Sequence, residues 1–347
     1  MADHPYARLP AERYWRKAVA GVPPFALDPT RPDAFQLTRT EKIATAGSCF
    51  AQEVARVLQD SGYHYHVAEP PPARAETASP EAGTLFSARY GNIYTTRHLV
   101  QLLDRARGRF RPALSHWQRP DGRFVDPFRP TVEPSGYGSP AEVEAAREMH
   151  LACVRDLFET LDTFVFTLGL TEGWTDRLDG AALPVPPGVV AGDWDRDRYA
   201  FVNATASSMT DDLVRFVDGL RELNPPSRVI LTVSPVPMVA TMEDRHVMVS
   251  NAYSKSALRV AAEEVCRARP EVFYFPSFEI ITSPVAGGRY FRDDLRSVNE
   301  AGIRHVMRLF LRHAGGEAHG PVATSPDWTR EAAQTSQVIC DEEALDS

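Results

Sequence analysis

Cysteine is scarce in this chain: four in 347 residues, at positions 49, 153, 266 and 340, with no Cys-x-x-Cys pair. That scatter excludes a zinc knuckle and a disulfide framework and fits reduced thiols. Long apolar runs are missing as well. No stretch approaches the roughly 18 consecutive apolar residues of a membrane span, and the opening Met-Ala-Asp-His-Pro-Tyr-Ala-Arg has no apolar leader core. These absences predict a soluble, cytoplasmic protein with no membrane partner. Positive charge is short: 38 Lys and Arg against 46 Asp and Glu leave a net charge of −8. No Lys/Arg run is interleaved with aromatics, so nucleic acid is excluded as an expected partner. The Tyr253-Ser254-Lys255 segment has the wrong spacing for a dehydrogenase dyad, and no Gly-x-Gly-x-x-Gly accompanies it.

What is present is an alternation of elements. With 43% apolar residues the chain can bury one large core. Ile43 to Ala46, Phe164 to Leu168, Val229 to Val233 and Val272 to Phe275 read as strands covered on both faces. Between them, Ser139-Pro140-Ala141-Glu142 opens a helix running to about Leu161. Residues 211 to 223 form another, stopped by Asn224-Pro225-Pro226. Strands alternating with helices predict an α/β fold with a parallel sheet and ligands at the carboxyl ends of the strands. Two stretches read as insertions: the proline-rich residues 69 to 83, and the aromatic- and arginine-rich residues 108 to 138, either a wall beside the site or a packed surface excursion. Residues 1–34 read as an N-terminal segment, 35–312 as the domain, and 313–347 as a disordered tail.

One strand end carries chemistry. Ile43-Ala44-Thr45-Ala46 breaks at Gly47, and Ser48 and Cys49 follow just before Ala51, Val54, Ala55 and Leu58, one buried helical face. A helix N-terminus lowers a thiol pKa and supplies N–H groups to an oxyanion. The segments ending Gly169 to Glu172 and Ser234 to Pro237 also follow strands.

Gly47-Ser48-Cys49-Phe50-Ala51 spells the signature of the GSCFA family. Phe86 to Tyr94, Thr167 to Trp174, Ser234-Pro235-Val236-Pro237 and Tyr253-Ser254-Lys255 resemble it too. The resemblance implies an SGNH (GDSL-like) hydrolase fold, a three-layer α/β/α arrangement with a parallel sheet and loop insertions. It implies an acyl-transfer activity, on a small-molecule or carbohydrate acyl substrate, with no cofactor and no metal. Overlaid on Gly-Asp-Ser-Leu, Cys49 takes the nucleophile's place and Ser48 is the second candidate. Gly91, with Asn92, matches the oxyanion glycine, and Gly169 and Thr171 fall in the next block, a hydroxyl standing where an amide is usual. The last block, Asp-x-x-His, overlays Asp294-Leu295-Arg296-Ser297, so the general-base histidine is a serine.

Ser297-Val298-Asn299-Glu300 reads as a capping box for the helix that follows, which makes Ser297 a cap. A base must then come from elsewhere, and His246 and His305 are the candidates, with His305 expected at the solvent face. Glu172 and Asp294 are the carboxylates expected near Cys49. Arg89 is either a cation for a substrate carboxylate or phosphate, or a structural ion pair. Trp174 is either a stacking face or a packing residue. The function expected is an esterase, thioesterase or acyltransferase. The alternatives are a catalytically silent ligand-binding protein and a metal-binding enzyme holding its ion through Cys49.

Overall fold

The computed structural model describes residues 4–31, 35–70 and 85–315. The proline-rich insertion, beyond its first two residues, and the expected disordered tail, from residue 316, lie outside them. By packing, the chain divides into two units, 38–274 and 4–37 with 275–315, so the segment read as N-terminal groups with the far end of the domain.

In residues 38–274, β1 (Ile43–Gly47), β4 (Thr163–Leu168), β8 (Arg228–Val233) and β9 (Val272–Tyr274) form one parallel sheet in the order β1-β4-β8-β9. Every residue of β1 and β4 is buried, as the unbroken apolar and β-branched runs require of a sheet covered on both faces. Tyr65 bridges Ile43 in parallel, with the Ile43 N–H on the His64 carbonyl at 3.0 Å and the His66 N–H on the Ile43 carbonyl at 2.8 Å. The spatial order is therefore Tyr65-β1-β4-β8-β9, and it reverses between β1 and β4. That reversal is where open α/β sheets leave a crevice at their carboxyl ends.

Helices flank the sheet. α1 (Phe50–Asp60) packs on β1 and β4. α2 (Thr96–Ala106), α3 (Pro140–Thr160), α4 (Ala206–Leu223) and α5 (Val247–Ala268) pack on one another, and α5 lies against β8 and β9. Phe158 of α3 and Phe216 of α4 meet the ring of Phe164 at 5.7 and 5.3 Å. Ser139 caps α3 through the Glu142 N–H, as its sequence predicts. α4 starts five residues earlier than expected, because Thr205 and Ser208 form a reciprocal capping box.

Two small sheets were not legible. β2 (Trp117–Gln118) pairs with β3 (Phe124–Val125), and β5 (Glu172–Asp176) lies between β6 (Ala182–Leu183) and β7 (Tyr199–Asn203), antiparallel to both. Leu114, Trp117, Val125 and Phe128 share one core with Leu183, Val185 and Tyr199, so the 108–138 excursion is packed against the β5–β7 region.

The other unit holds α6 (Ser277–Thr282) and α7 (Glu300–His313). Phe35, Phe275 and Phe310 pack together, Phe275 edge-on to both of the others, and the Leu37 N–H donates to the Ala314 carbonyl at 3.0 Å. No helix among the described residues is long and apolar enough to cross a membrane.

Candidate functional site

The turn after β1 is built by close backbone approach. Gly47 has φ 135°, and a Cβ there would lie 2.3 Å from the Thr167 carbonyl oxygen, so only glycine fits. The Ser48 N–H continues the ladder onto the Thr167 carbonyl at 3.0 Å. Cys49 is the N-cap residue of α1, and the first helical bonds run from the Ala51 and Gln52 N–H groups to the Ser48 and Cys49 carbonyls. Both side chains are buried, and the Ser48 hydroxyl has no hydrogen-bond partner among the described residues.

Two further loops interlock with this turn. The Ile93 N–H donates to the Gly47 carbonyl at 2.8 Å, which anchors Gly91-Asn92-Ile93 on the end of β1. Gly91 is in the left-handed region, φ 69°. Asn92 is buried, and its Oδ1 accepts from Gln52 Nε2 of α1 at 3.3 Å. From the end of β4, the Leu170 N–H donates to the Tyr94 carbonyl at 3.0 Å. A Cβ on Gly169 would lie 3.0 Å from that carbonyl and 3.2 Å from the Ser48 Cβ. Cys49, Ser48, Gly91, Asn92, Gly169 and Thr171 thus come from three loops joined by their main chains.

α5 fastens the third loop from behind. The Thr171 N–H donates to Ser254 Oγ at 3.1 Å, and Lys255 Nζ donates to the Gly169 carbonyl at 2.9 Å. Lys255, with Lys17 and Lys42, makes up all the lysine in this chain, and it is buried. Sequence reasoning took Tyr253-Ser254-Lys255 as a family segment and rejected it as a dehydrogenase dyad, but assigned it no such role. The signal was a lysine inside an otherwise helical apolar pattern. Gln52, three residues after Cys49 on the same helix, was also missed. The Thr167 and Thr171 hydroxyls, like that of Ser48, are buried without partners among the described residues.

The other expected residues sit elsewhere. Glu172 begins β5 and accepts from the Thr241 hydroxyl at 2.6 Å and the Met242 N–H at 3.0 Å, so it tethers the loop before α5. His246 is exposed and caps α5, its Nδ1 accepting from the Met248 N–H at 3.1 Å. Arg89 resolves to its structural reading. It donates to the Val132 carbonyl at 2.7 Å and pairs with Glu133 at 3.3 Å. Trp174 packs edge-on to Trp194 at 5.0 Å and against Phe201 at 5.7 Å.

Asp294, Ser297 and His305 belong to the second unit. Ser297 is not the cap expected of it. Asn299 caps α7 by accepting from the Gly302 N–H at 3.1 Å, while the Ser297 hydroxyl donates to Asp294 Oδ2 at 2.5 Å. The cause is register: α7 begins at Glu300, so the N-cap position falls on Asn299, which caps as well as serine, and Ser297, two residues earlier, gives its hydroxyl to Asp294. Burial pushes the Asp294 carboxyl up, but the Ser297 hydroxyl and the Arg296 and Ser297 N–H groups outweigh it and hold the pKa below its usual value. His305 does not face solvent. It is buried, with Nδ1 on the Tyr290 hydroxyl at 2.7 Å and Nε2 on the Leu27 carbonyl at 2.9 Å. Burial and Arg308 push it down to about 4. Among the described residues no group of three or more His, Cys, Asp or Glu is placed to hold a metal ion.

No curated protein matches this chain. Among solved structures, it is similar to a carbohydrate esterase family 2 enzyme with its carbohydrate-binding domain from Corynascus thermopiles (Myceliophthora fergusii). The two are 12% identical over 76% of this chain and 69% of that one, at a TM-score of 0.25, which carries no argument about activity. The sequence profile of the GSCFA family matches residues 42–310, a span that takes in all three interlocked loops, the α5 residues fastening them and the Asp294–Ser297 turn. With most of its length inside that match, the chain belongs to the GSCFA family.

Proposed function

We propose that the chain is an acyl-transferring enzyme, an esterase, thioesterase or acyltransferase, with Cys49 as nucleophile and Ser48 as second candidate. One observation carries the reading. A hydroxyl and a thiol at a strand-to-helix turn lie at the carboxyl ends of β1 and β4, where the sheet order reverses; Gly169 of a second loop closes on Ser48, and Ile93 of a third is bonded to Gly47. Ser48 holds the place of the superfamily aspartate, and its N–H is already engaged by Thr167. Cys49 stands at the head of α1, where a helix dipole favours thiolate. Its backbone N–H and that of Gly91, helped by Asn92 and Thr171, would hold the oxyanion.

A second reading, a silent ligand-binding protein derived from a hydrolase, is favoured by the histidines. His246 caps a helix, and His305 is hydrogen-bonded at both ring nitrogens. Turnover of activated acyl esters and thioesters, with intact-mass detection of an acyl adduct, separates the two. Cys49→Ala should abolish both signals while Ser48→Ala leaves a measurable remainder. The reverse ranking transfers the role to Ser48. A wild type with neither adduct nor turnover across a broad acyl panel establishes the silent protein.

A further inference from the structure

Beside the interlocked loops lies a cavity of about 120 Å³, lined by Tyr94, Leu170, Trp174, Leu183, Val185 and Phe201 among others. Its near wall touches the site directly: the Leu170 N–H is bonded to the Tyr94 carbonyl, and Gly169, packed on the Ser48 Cβ, precedes Leu170. Met242, which also lines it, is largely exposed, and Trp194, half exposed, leans on the lining Trp174.

The polar side chains around the cavity are engaged with the protein itself. Both Glu172 oxygens accept from the Thr241–Met242 loop, the Thr241 hydroxyl is the donor of one of those bonds, and Thr95 caps α2 through the His98 N–H. His98 lines the cavity from α2 with Nδ1 unpartnered among the described residues. Burial and Arg105 push its pKa down to about 3, so it presents a neutral ring. A sugar or a carboxylate would meet walls with almost no group left to receive it, and desolvating its polar atoms there is unfavourable. A hydrocarbon chain meets no such cost.

We propose that this cavity binds the hydrocarbon part of the acyl group, so that the substrate carries an aliphatic acyl chain longer than acetyl, its carbonyl at the Gly47–Cys49 turn and its tail between Trp174, Leu183 and Phe201. The inference rests on the acyl-transfer reading. At about 30 Å³ for a group the size of a water, the cavity takes about four chain carbons beyond the carbonyl, which suits butanoyl and pentanoyl chains.

The test separates the cavity from the chemistry by using neutral, unreactive probes. Methyl ketones from butanone to decanone are titrated calorimetrically into the wild type and into Ala240→Trp, a substitution at an exposed position of the cavity wall. Methyl glucoside serves as the polar control. Affinity should rise about threefold to fourfold per methylene until the cavity fills, fall at least tenfold in Ala240→Trp, and be undetectable for the glucoside. Affinity independent of chain length, or unaffected by Ala240→Trp, overturns the proposal. Acyl-ester turnover is then scored separately. Chain-dependent binding without turnover upholds the cavity and removes the acyl-transfer reading, whereas turnover that is flat from acetyl to octanoyl, with flat ketone binding, removes the cavity and keeps the chemistry.

Discussion

Two buried polar regions lie within residues 38–274, and they are built on opposite rules. In the first, Asp126 is enclosed by arginines: Arg129 at 3.1 Å and Arg147 at 2.8 Å. Arg129 reaches on to Glu69 and to the Arg89 and Ala146 carbonyls, and Glu69 accepts from His150 at 2.5 Å. In the second, at the ends of β1 and β4, main-chain bonds tie the three loops together while the hydroxyls of Ser48, Thr167 and Thr171 are buried without partners among the described residues. Most polar groups of the first region are paired, because an orphaned one is costly, although the buried Arg105 beside them keeps Nε and Nη2 without partners among the described residues. Groups left open where the backbone is over-determined are where the chain departs from that rule, and such departures gather at functional sites.

The paired region should respond most to disruption. Arg129→Met strips a partner from Asp126, Glu69 and two carbonyls at once, leaving Asp126 on Arg147 and Glu69 on His150 and the Arg89 N–H. The unfolding free energy from urea titration should drop by about 3–5 kcal/mol. A loss below about 1 kcal/mol would mean that the network is decorative and erase the contrast.

Acid sharpens the same contrast. Burial and Arg129 push His150 down to about 4 despite Glu69, so at neutral pH the imidazole is uncharged and its contact with Glu69 is a hydrogen bond rather than an ion pair. His98 is pushed down to about 3 and His305 to about 4. For each, the folded value lies below the unfolded value near 6.5, so the unfolded chain binds the proton first as pH falls. Their stabilisation is complete above about pH 6.5 and is lost on the way down to the folded values, at up to about 1.4 kcal/mol per pH unit for each ring. Melting temperature should therefore begin to fall near pH 6, above the carboxylate range, and His150→Gln should flatten the slope. A plateau down to pH 4.5 would refute neutral burial of these rings.

The parallel sheet and the turn after β1 were legible because each rests on a local signal: unbroken apolar runs for β1, β4 and β8, and a glycine break before a periodic helix. β5, β6 and β7 were not, because their pairing is non-local. Glu172 to Asp176 mixes charge, glycine and tryptophan with little strand character of its own. At the site, Cys49, Ser48, Gly91, Asn92, Gly169 and Thr171 could be named from motifs, whereas Lys255 and Gln52 depend on what α5 and α1 face. The cap of α7 fell between these cases. Ser297 and Asn299 both suit an N-cap, and only the starting register of α7, at Glu300, decides which is used. Asn299→Ala should cost about 1 kcal/mol in thermal or urea melts, and Ser297→Ala distinctly less. Equal losses would restore Ser297 as a cap.

The smallest expected effect is the most discriminating. Thr171→Val keeps the shape of a fully buried side chain and removes a hydroxyl that has no partner among the described residues, while its N–H bond to Ser254 is untouched. An unsatisfied buried hydroxyl costs about 1–3 kcal/mol, so the variant should unfold at the same denaturant concentration as the wild type or a higher one. If Thr171 supplies a donor to the oxyanion, acyl turnover should fall in that same variant, about tenfold or more for a donor worth at least 1.4 kcal/mol in the transition state. Stability and activity would then move in opposite directions at one atom. A threonine that merely completes the architecture would behave as Arg129 does and lose stability when changed, and that result would place Thr171 with the paired region.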